Sequence, residues 1–187
     1  MKTEGIILAA GLSRRAGTNK LVLEINGVPI IERCILSMKD HCSRIIVVGG
    51  HRIEDIYPIT KKHQNIYLIY NKDYLLGMLS SVKAGLRFLE GDRFFIQPGD
   101  LPIIQKATYE SMLKINEDIV IPTYKKEKGH PVLIKTHLVD EILNDSNISS
   151  LRDYIKKKRS TTLEVGDPGI LLDVDTIEDY KMIKGLS

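Results

Sequence analysis

The opening of the chain constrains it most. Ile6-Ile7-Leu8-Ala9-Ala10 is an unbroken apolar run, and Gly11-Leu12-Ser13-Arg14-Arg15-Ala16-Gly17-Thr18-Asn19-Lys20 turns at once polar, small and cationic. Such a run reads as a buried strand that empties into a loop at the edge of a sheet. Glycine and alanine let backbone N–H groups approach a ligand closely, while Arg15 and Lys20 add the fixed positive charge that a polyphosphate needs. The spacing of Gly11 and Gly17 fits neither the Walker A pattern nor the dinucleotide-binding Gly-x-Gly-x-x-Gly fingerprint. A basic turn after a core strand is the plainer reading of the same residues.

Downstream, short apolar runs alternate with segments of helical period, the pattern of a mainly parallel sheet with crossover helices. Further strands are expected at Arg44–Val48, Ile66–Tyr70, Phe94–Gln97, Asp118–Pro122, Val132–Ile134 and Thr161–Val165. Asn26-Gly27 is a turn signal, and Pro29 opens a helix to about Asp40. Pro58 should stop or bend the short helical piece after Gly49-Gly50. Ser80-Ser81 begin a helix with Leu79, Val82, Leu86 and Leu89 on one face, and Gln105–Asn116, Thr136–Leu143 and Ser149–Lys158 supply others. Tyr124 to Lys128 is charged and aperiodic, so it reads as a mobile surface loop. Thr176, with Asp179 three residues on, has the pattern of a capping box for a final helix.

At 187 residues with 43% hydrophobic content, the chain has enough material for one core and little for two. One domain spanning residues 1–187 is expected. The net charge of +3 is too mild for a general nucleic-acid binder, so cationic function must be local. Lys156-Lys157-Lys158-Arg159 is one such cluster, and a solvated helix end accounts for it. No signal peptide and no apolar run of membrane-spanning length is evident, and with two cysteines the expected address is the cytoplasm. Cys34 falls among Ile30, Ile31, Ile35 and Met38 as a packed core thiol.

Three carboxylates stand out. Asp100 follows the strand Phe94–Gln97 within Pro98-Gly99-Asp100-Leu101-Pro102, where open α/β sheets place their ligands, although Gly-Asp is also a common turn. Asp173 and Asp175 lie two apart on an extended segment and so face one side. Glu178 and Asp179 have a sufficient role at the start of the last helix. Asp173 and Asp175 do not, which favours a metal ligand or a phosphate-positioning group. Oxygen donors of this kind suit magnesium, and no Cys/His cluster offers zinc a site. Ser80 and Ser81 read on their own as helix caps, and His130 as a surface or packed residue.

The run Leu-Ala-Ala-Gly-x-Ser-x-Arg-x-Gly-x-x-Lys from Leu8 to Lys20 resembles the nucleotidyltransferases with a GT-A-like, Rossmann-like α/β fold, and within them the MobA-like NTP transferases, on the molybdenum cofactor cytidylyltransferase side. Gly99-Asp100-x-Pro102, Asn71 to Ser81, Gly129-His130-Pro131-Val132 and Asp173-x-Asp175-Thr176-x-Glu178-Asp179 extend the resemblance over essentially the whole chain. Ala16, where relatives more often carry Met or Phe, departs from it. The resemblance implies a sheet flanked by helices and a catalytic set of Arg15, Lys20 and Asp100. Leu8, Ala9, Ala10, Gly11, Gly77, Ser80 and Ser81 would lie against the nucleotide, with Arg15 and Lys20 on its triphosphate. Asp100 and Asp175 would hold Mg2+, and His130 and Asp173 would face the acceptor. The implied reaction moves CMP from CTP to the terminal phosphate of molybdopterin and releases pyrophosphate. A molybdoenzyme or its maturation chaperone would receive the product, with no nucleic acid or membrane involved. Transfer to a sugar or alditol phosphate, and a non-catalytic nucleotide or cofactor carrier, are the alternatives.

Overall fold

The first apolar run is the middle of the molecule. In the computed structural model, which describes residues 1–11 and 19–186, strand β1 (Thr3–Ala9) pairs in parallel with β4 (Ile45–Gly49) on one side and β6 (Arg93–Pro98) on the other. Outside β4 lies β5 (Ile66–Tyr70), also parallel. Beyond β6 come β9 (Val132–Lys135), antiparallel to both neighbours, then β7 (Ile119–Tyr124) and β10 (Thr161–Glu164), which are parallel to each other. The sheet order is therefore β10-β7-β9-β6-β1-β4-β5, with β8 (Glu127–Lys128) folded back on β7. Because β9 runs against both β6 and β7, the carboxyl ends of β1, β4, β5, β6, β7 and β10 all emerge on one edge.

Alternate residues of the central strands face opposite layers, as the two-residue period requires. Ile7, Val47 and Phe95 pack with α1 (Ile30–Met38), α2 (Ile53–Thr60), α4 (Lys106–Leu113) and α7 (Ile177–Leu186). Ile6, Ile46, Phe94 and Ile96 pack with α3 (Met78–Leu86), α5 (Val139–Asn144) and α6 (Leu151–Lys157). The result is a mainly parallel α/β sheet covered by helices on both faces, the expected class. Among the described residues, no helix is long and apolar enough to cross a membrane.

Four local expectations change. Asn26-Gly27 turns a small hairpin, β2 (Glu24–Ile25) to β3 (Val28–Pro29), so Pro29 precedes α1 and does not open it. Pro58 lies inside α2, which continues to Thr60. Helix α3 starts at Met78, two residues before the serines, because Gly77 at φ +98° makes the break that a capping hydroxyl would otherwise signal. The stretch after Tyr124 is an ordered hairpin. Its turn lacks the Asn or Gly that would have announced it.

Candidate active site

The site is assembled at the carboxyl edge from three distant segments. Lys20 opens a one-turn 3-10 helix, Lys20–Val22, whose cap is Asn19: its side-chain oxygen accepts from Leu21 N at 3.2 Å, and its amide donates to Asp55 at 3.1 Å. From there Lys20 Nζ donates to Asp100 Oδ2 at 2.6 Å and to Asp175 Oδ1 at 3.0 Å. Burial opposes the charge on Lys20, but the two carboxylates outweigh it and hold the ammonium above its ordinary pKa.

Asp100 is fixed through its backbone. Gly99 N donates to Leu8 O at 2.8 Å, and Asp100 O accepts from Val174 N at 2.9 Å, which ties the end of β6 both to β1 and to the segment before α7. A Cβ on Gly99 would lie 3.0 Å from Ile31 and 3.2 Å from Leu8 O, so the close approach favours glycine. The Cys34 thiol lies 3.3 Å from the carbonyls of both Gly99 and Leu101, on either side of Asp100. Burial pushes the Cys34 pKa up, which keeps the thiol a donor. Of the two Asp100 oxygens, Oδ2 meets Lys20, while Oδ1 is buried without a partner among the described residues.

Asp175 sits just before a capped helix end. Asp179 Oδ2 accepts from Thr176 N at 2.7 Å and from Asp175 N at 3.1 Å, and Thr176 Oγ1 accepts from Asp179 N at 3.1 Å, the expected capping box. Burial, then Asp100 and Asp175, push the neighbouring Asp173 carboxyl above its ordinary value. That is the response of a carboxylate first withdrawn from water and then crowded by like charge. His130 N donates to Ile170 O at 3.0 Å, and its Nδ1 is buried without a partner among the described residues. Burial lowers its pKa against the opposing pull of the Ile96 carbonyl and Asp100, so the ring is neutral at neutral pH.

On the other side of β1, Asn71 organises the loop toward α3. Its amide donates to Ser80 Oγ at 2.9 Å and Ser81 Oγ at 3.0 Å, and its oxygen accepts from Asp73 N at 3.0 Å. Ser80 Oγ also lies 2.8 Å from the carbonyls of Asp73 and Gly77. Both hydroxyls thus brace the loop from within the helix and do not cap it. Leu8 and Ala9 remain inside the ladder, paired with Val48 and Gly49, whereas Ala10 and Gly11 continue past it. The Ala10 methyl is directed at Gly50, where an added Cβ would lie 2.9 Å from it and 2.7 Å from Tyr74 Cβ. Arg15, with Arg14, Ser13, Ala16 and Gly17, lies outside the described residues.

The structure brings Lys20, Asp100 and Asp175 into contact, sets Asp173 and His130 within electrostatic reach of Asp100, and places Ala10, Gly11, Gly77 and the serines along the same edge. Sequence reasoning missed the bracing role of Asn71 and the grip of Cys34 on the Asp100 turn. Asn71 had a signal in its own Asn-to-Ser motif. Cys34 had none, since its apolar neighbours announce only a core residue. A hard cation would find oxygen donors here, including Asp100 Oδ1, unanswered among the described residues. No group of three or more metal-type side chains is gathered among the described residues. Two carboxylates would have to share the ion with phosphate oxygens and water, an arrangement usual for magnesium.

A mainly parallel sheet flanked by helices, with a lysine held between carboxylates at its carboxyl edge, fits an α/β nucleotidyltransferase. The chain belongs to the MobA-like NTP transferase domain family, whose model matches residues 5–162. It is 30% identical over 176 residues to the molybdenum cofactor cytidylyltransferase of Escherichia coli (strain K12), covering 94% of this chain and 92% of that one. It is 32% identical over 123 residues to a probable molybdenum cofactor guanylyltransferase of Natranaerobius thermophilus, covering 63% and 58%. A Mycobacterium tuberculosis H37Rv protein solved in complex with manganese shares the fold, with a TM-score of 0.83 over 100% of both chains at 18% identity.

Proposed function

We propose that residues 1–187 act as one cytoplasmic domain that transfers CMP from CTP to the terminal phosphate of molybdopterin and releases pyrophosphate. The observation that carries the reading is Lys20 bridging Asp100 and Asp175 at 2.6 and 3.0 Å, with the second Asp100 oxygen unanswered among the described residues. A carrier that only holds nucleotide has no need of an incompletely neutralised carboxylate facing a lysine. The choice of CTP and of molybdopterin is supported by the similarity to the E. coli cytidylyltransferase along nearly the full length of both chains.

Nucleotidyl transfer needs positioning and charge stabilisation more than covalent chemistry from the protein. In this reading Ala10 and Gly11, with the Gly77 to Ser81 segment, hold the base and ribose. Lys20 and Arg15 receive the triphosphate. Asp100 and Asp175 would hold Mg2+, which supplies charge neutralisation at the phosphates. His130, neutral at its buried position, offers the acceptor a hydrogen-bond partner, and Asp173 orients the acceptor beside it. The acceptor phosphate oxygen attacks the α-phosphorus in line with the departing pyrophosphate. A molybdoenzyme or its maturation chaperone would take the product.

The test is pyrophosphate release from CTP, GTP, ATP and UTP with magnesium, using molybdopterin and a panel of sugar and alditol phosphates. Release with CTP and molybdopterin is expected. Release only with a sugar or alditol phosphate would replace the acceptor, and no release with any pair would remove the enzymatic reading.

A further inference from the structure

The hairpin after β7 is built against local preference. Tyr124 faces Glu127 and Thr123 faces Lys128, so Lys125 and Lys126 alone make the turn. Both are left-handed, with φ of 51° and 70°. A two-residue turn of this hand suits Asn-Gly, and the chain uses that pair at Asn26-Gly27, where φ is 52° and 76°. Lysine has a Cβ that opposes this conformation and no short polar side chain to compensate locally. The turn is held from outside. Glu164 of β10 accepts from Lys125 N at 2.7 Å with one oxygen and from Thr123 Oγ1 at 2.6 Å with the other. The Thr123 hydroxyl bond, despite burial, and then the Lys125 and Lys126 amides keep its carboxyl below the usual glutamate range.

The side chains that occupy this strained turn are exposed. Lys125 Nζ lies 5.3 Å over the Tyr124 ring, and among the described residues no carboxylate is within ion-pair distance of Lys125, Lys126 or Lys128. The hairpin stands on the same carboxyl edge as Asp100 and leads directly into Gly129-His130. Gly129 N is tied to Pro122 O at 2.9 Å, and a Cβ there would come 2.4 Å from Ile170 O. Among the described residues Asp100, Asp173 and Asp175 outnumber Lys20 at the neighbouring centre, and that excess negative charge opposes an incoming phosphate. A cationic rim offsets that field and raises the local concentration of an anion.

We propose that Lys125 and Lys126 bind the acceptor as a phosphate monoester dianion, guiding it past the three aspartates toward His130. This rests on the nucleotidyl-transfer reading for the identity of the acceptor, here probed with molybdopterin. The strain is retained because two ammonium groups at the tip serve binding, where Asn-Gly would serve only the fold.

The test compares the wild type with Lys125→Asn/Lys126→Gly and Lys125→Gln/Lys126→Gln. Molybdopterin affinity is read by pterin fluorescence at low and high salt, CTP affinity by calorimetry, and the melting temperature alongside. Both variants should bind molybdopterin at least about fivefold more weakly at low salt and converge on the wild type at high salt, since exposed charges are screened. CTP affinity should not change. The Asn-Gly variant should melt higher than the wild type and the Gln-Gln variant should not, which separates binding from folding. Molybdopterin affinity unchanged in both variants, or a parallel loss of CTP affinity, would overturn the proposal. The comparison needs no turnover. Failure of the nucleotidyl-transfer reading shows separately, as a wild type that binds ligand yet releases no pyrophosphate.

Discussion

Two carboxylates, one buried and one half-buried, lie at opposite ends of neighbouring strands in one sheet and are treated in opposite ways. Glu4, near the start of β1, is 0% exposed, and both of its oxygens are answered: Arg44 Nε donates at 2.8 Å, Glu90 N at 2.8 Å, and Lys2 Nζ lies at 3.4 Å. Burial works to raise its pKa, but the Glu90 and Gly91 amides and Arg44 outweigh that and hold it below the ordinary glutamate value. Asp100, just past the end of β6, shares Lys20 with Asp175 and leaves Oδ1 buried and, among the described residues, unanswered. Its neighbour Asp173 is pushed the other way, up. A buried polar group with every bond made belongs to the fold, whereas one left short at the ligand-binding edge of a sheet is suited to bonds that a ligand completes.

The contrast is broken most severely at Asp100. Asp100→Asn preserves shape and removes the anionic oxygen, so turnover should fall by about 10²–10³. The same change relieves crowding among three carboxylates, so the melting temperature should hold or rise. Full activity in the folded variant would end the metal-holding role. Lys20→Ala removes the cation that links Asp100 to Asp175 and should cost on the order of a hundredfold in kcat/KM for the nucleotide. Here the melting temperature should drop, because two half-buried carboxylates then face each other unneutralised. A variant with wild-type nucleotide kinetics would make Lys20 a purely structural link.

At the other end of the sheet the prediction inverts. Glu4→Gln should leave nucleotide kinetics at saturating substrate unchanged and destabilise the fold by about 2 kcal/mol, since Arg44 loses a buried charged partner. A group whose folded pKa lies below its unfolded value stabilises above the unfolded pKa and loses that contribution as pH falls through the folded one. The stability gap between wild type and variant should therefore be full at neutral pH and close on acidification below the ordinary glutamate range. Urea melts across pH 7 to 3 check this. A gap that stays constant would show that Glu4 acts through packing alone.

The two clusters also differ in how far they were legible. The strand before Gly11, the Gly99-Asp100 turn and Asp173-x-Asp175 could be read because loop chemistry, strand ends and the two-residue period act locally. That Lys20 reaches both Asp100 and Asp175 is a product of tertiary placement, across 80 and 155 residues of chain. The Glu4–Arg44 pair had no signal, because an ion pair between adjacent parallel strands depends on register. The sequence of the hairpin at Lys125-Lys126 carries no turn signature, because the turn is held by Glu164, a residue 39 positions away from the Lys125 amide it binds. Ser80 and Ser81 were placed at a helix start because serine favours caps, yet Gly77 supplies the break.

The smallest expected effect lies at Ala10, which joins β1 to the site. Leu8-Ala9-Ala10-Gly11 carries at its third position a methyl that a glycine there would lack. Ala10 is 8% exposed, and its methyl is directed at Gly50, on the side that Tyr74 and the Asn71 loop close. It therefore narrows the space beside the backbone from the β4 side, which a pyrimidine tolerates more easily than a purine. One methylene-sized difference discriminates by about 1–3 kcal/mol, and a methyl already packed against backbone belongs at the lower end, so Ala10→Gly should shift the CTP-to-GTP ratio of kcat/KM by about tenfold toward GTP. Glycine also frees the backbone at the end of β1, so the melting temperature should fall slightly for both nucleotides alike. A shift in the ratio without loss of CTP turnover would place the purine barrier at this methyl. An unchanged ratio would move the discrimination to the Gly77–Ser81 side of the pocket, and a wild type that prefers GTP would overturn the proposed use of CTP while leaving nucleotidyl transfer intact.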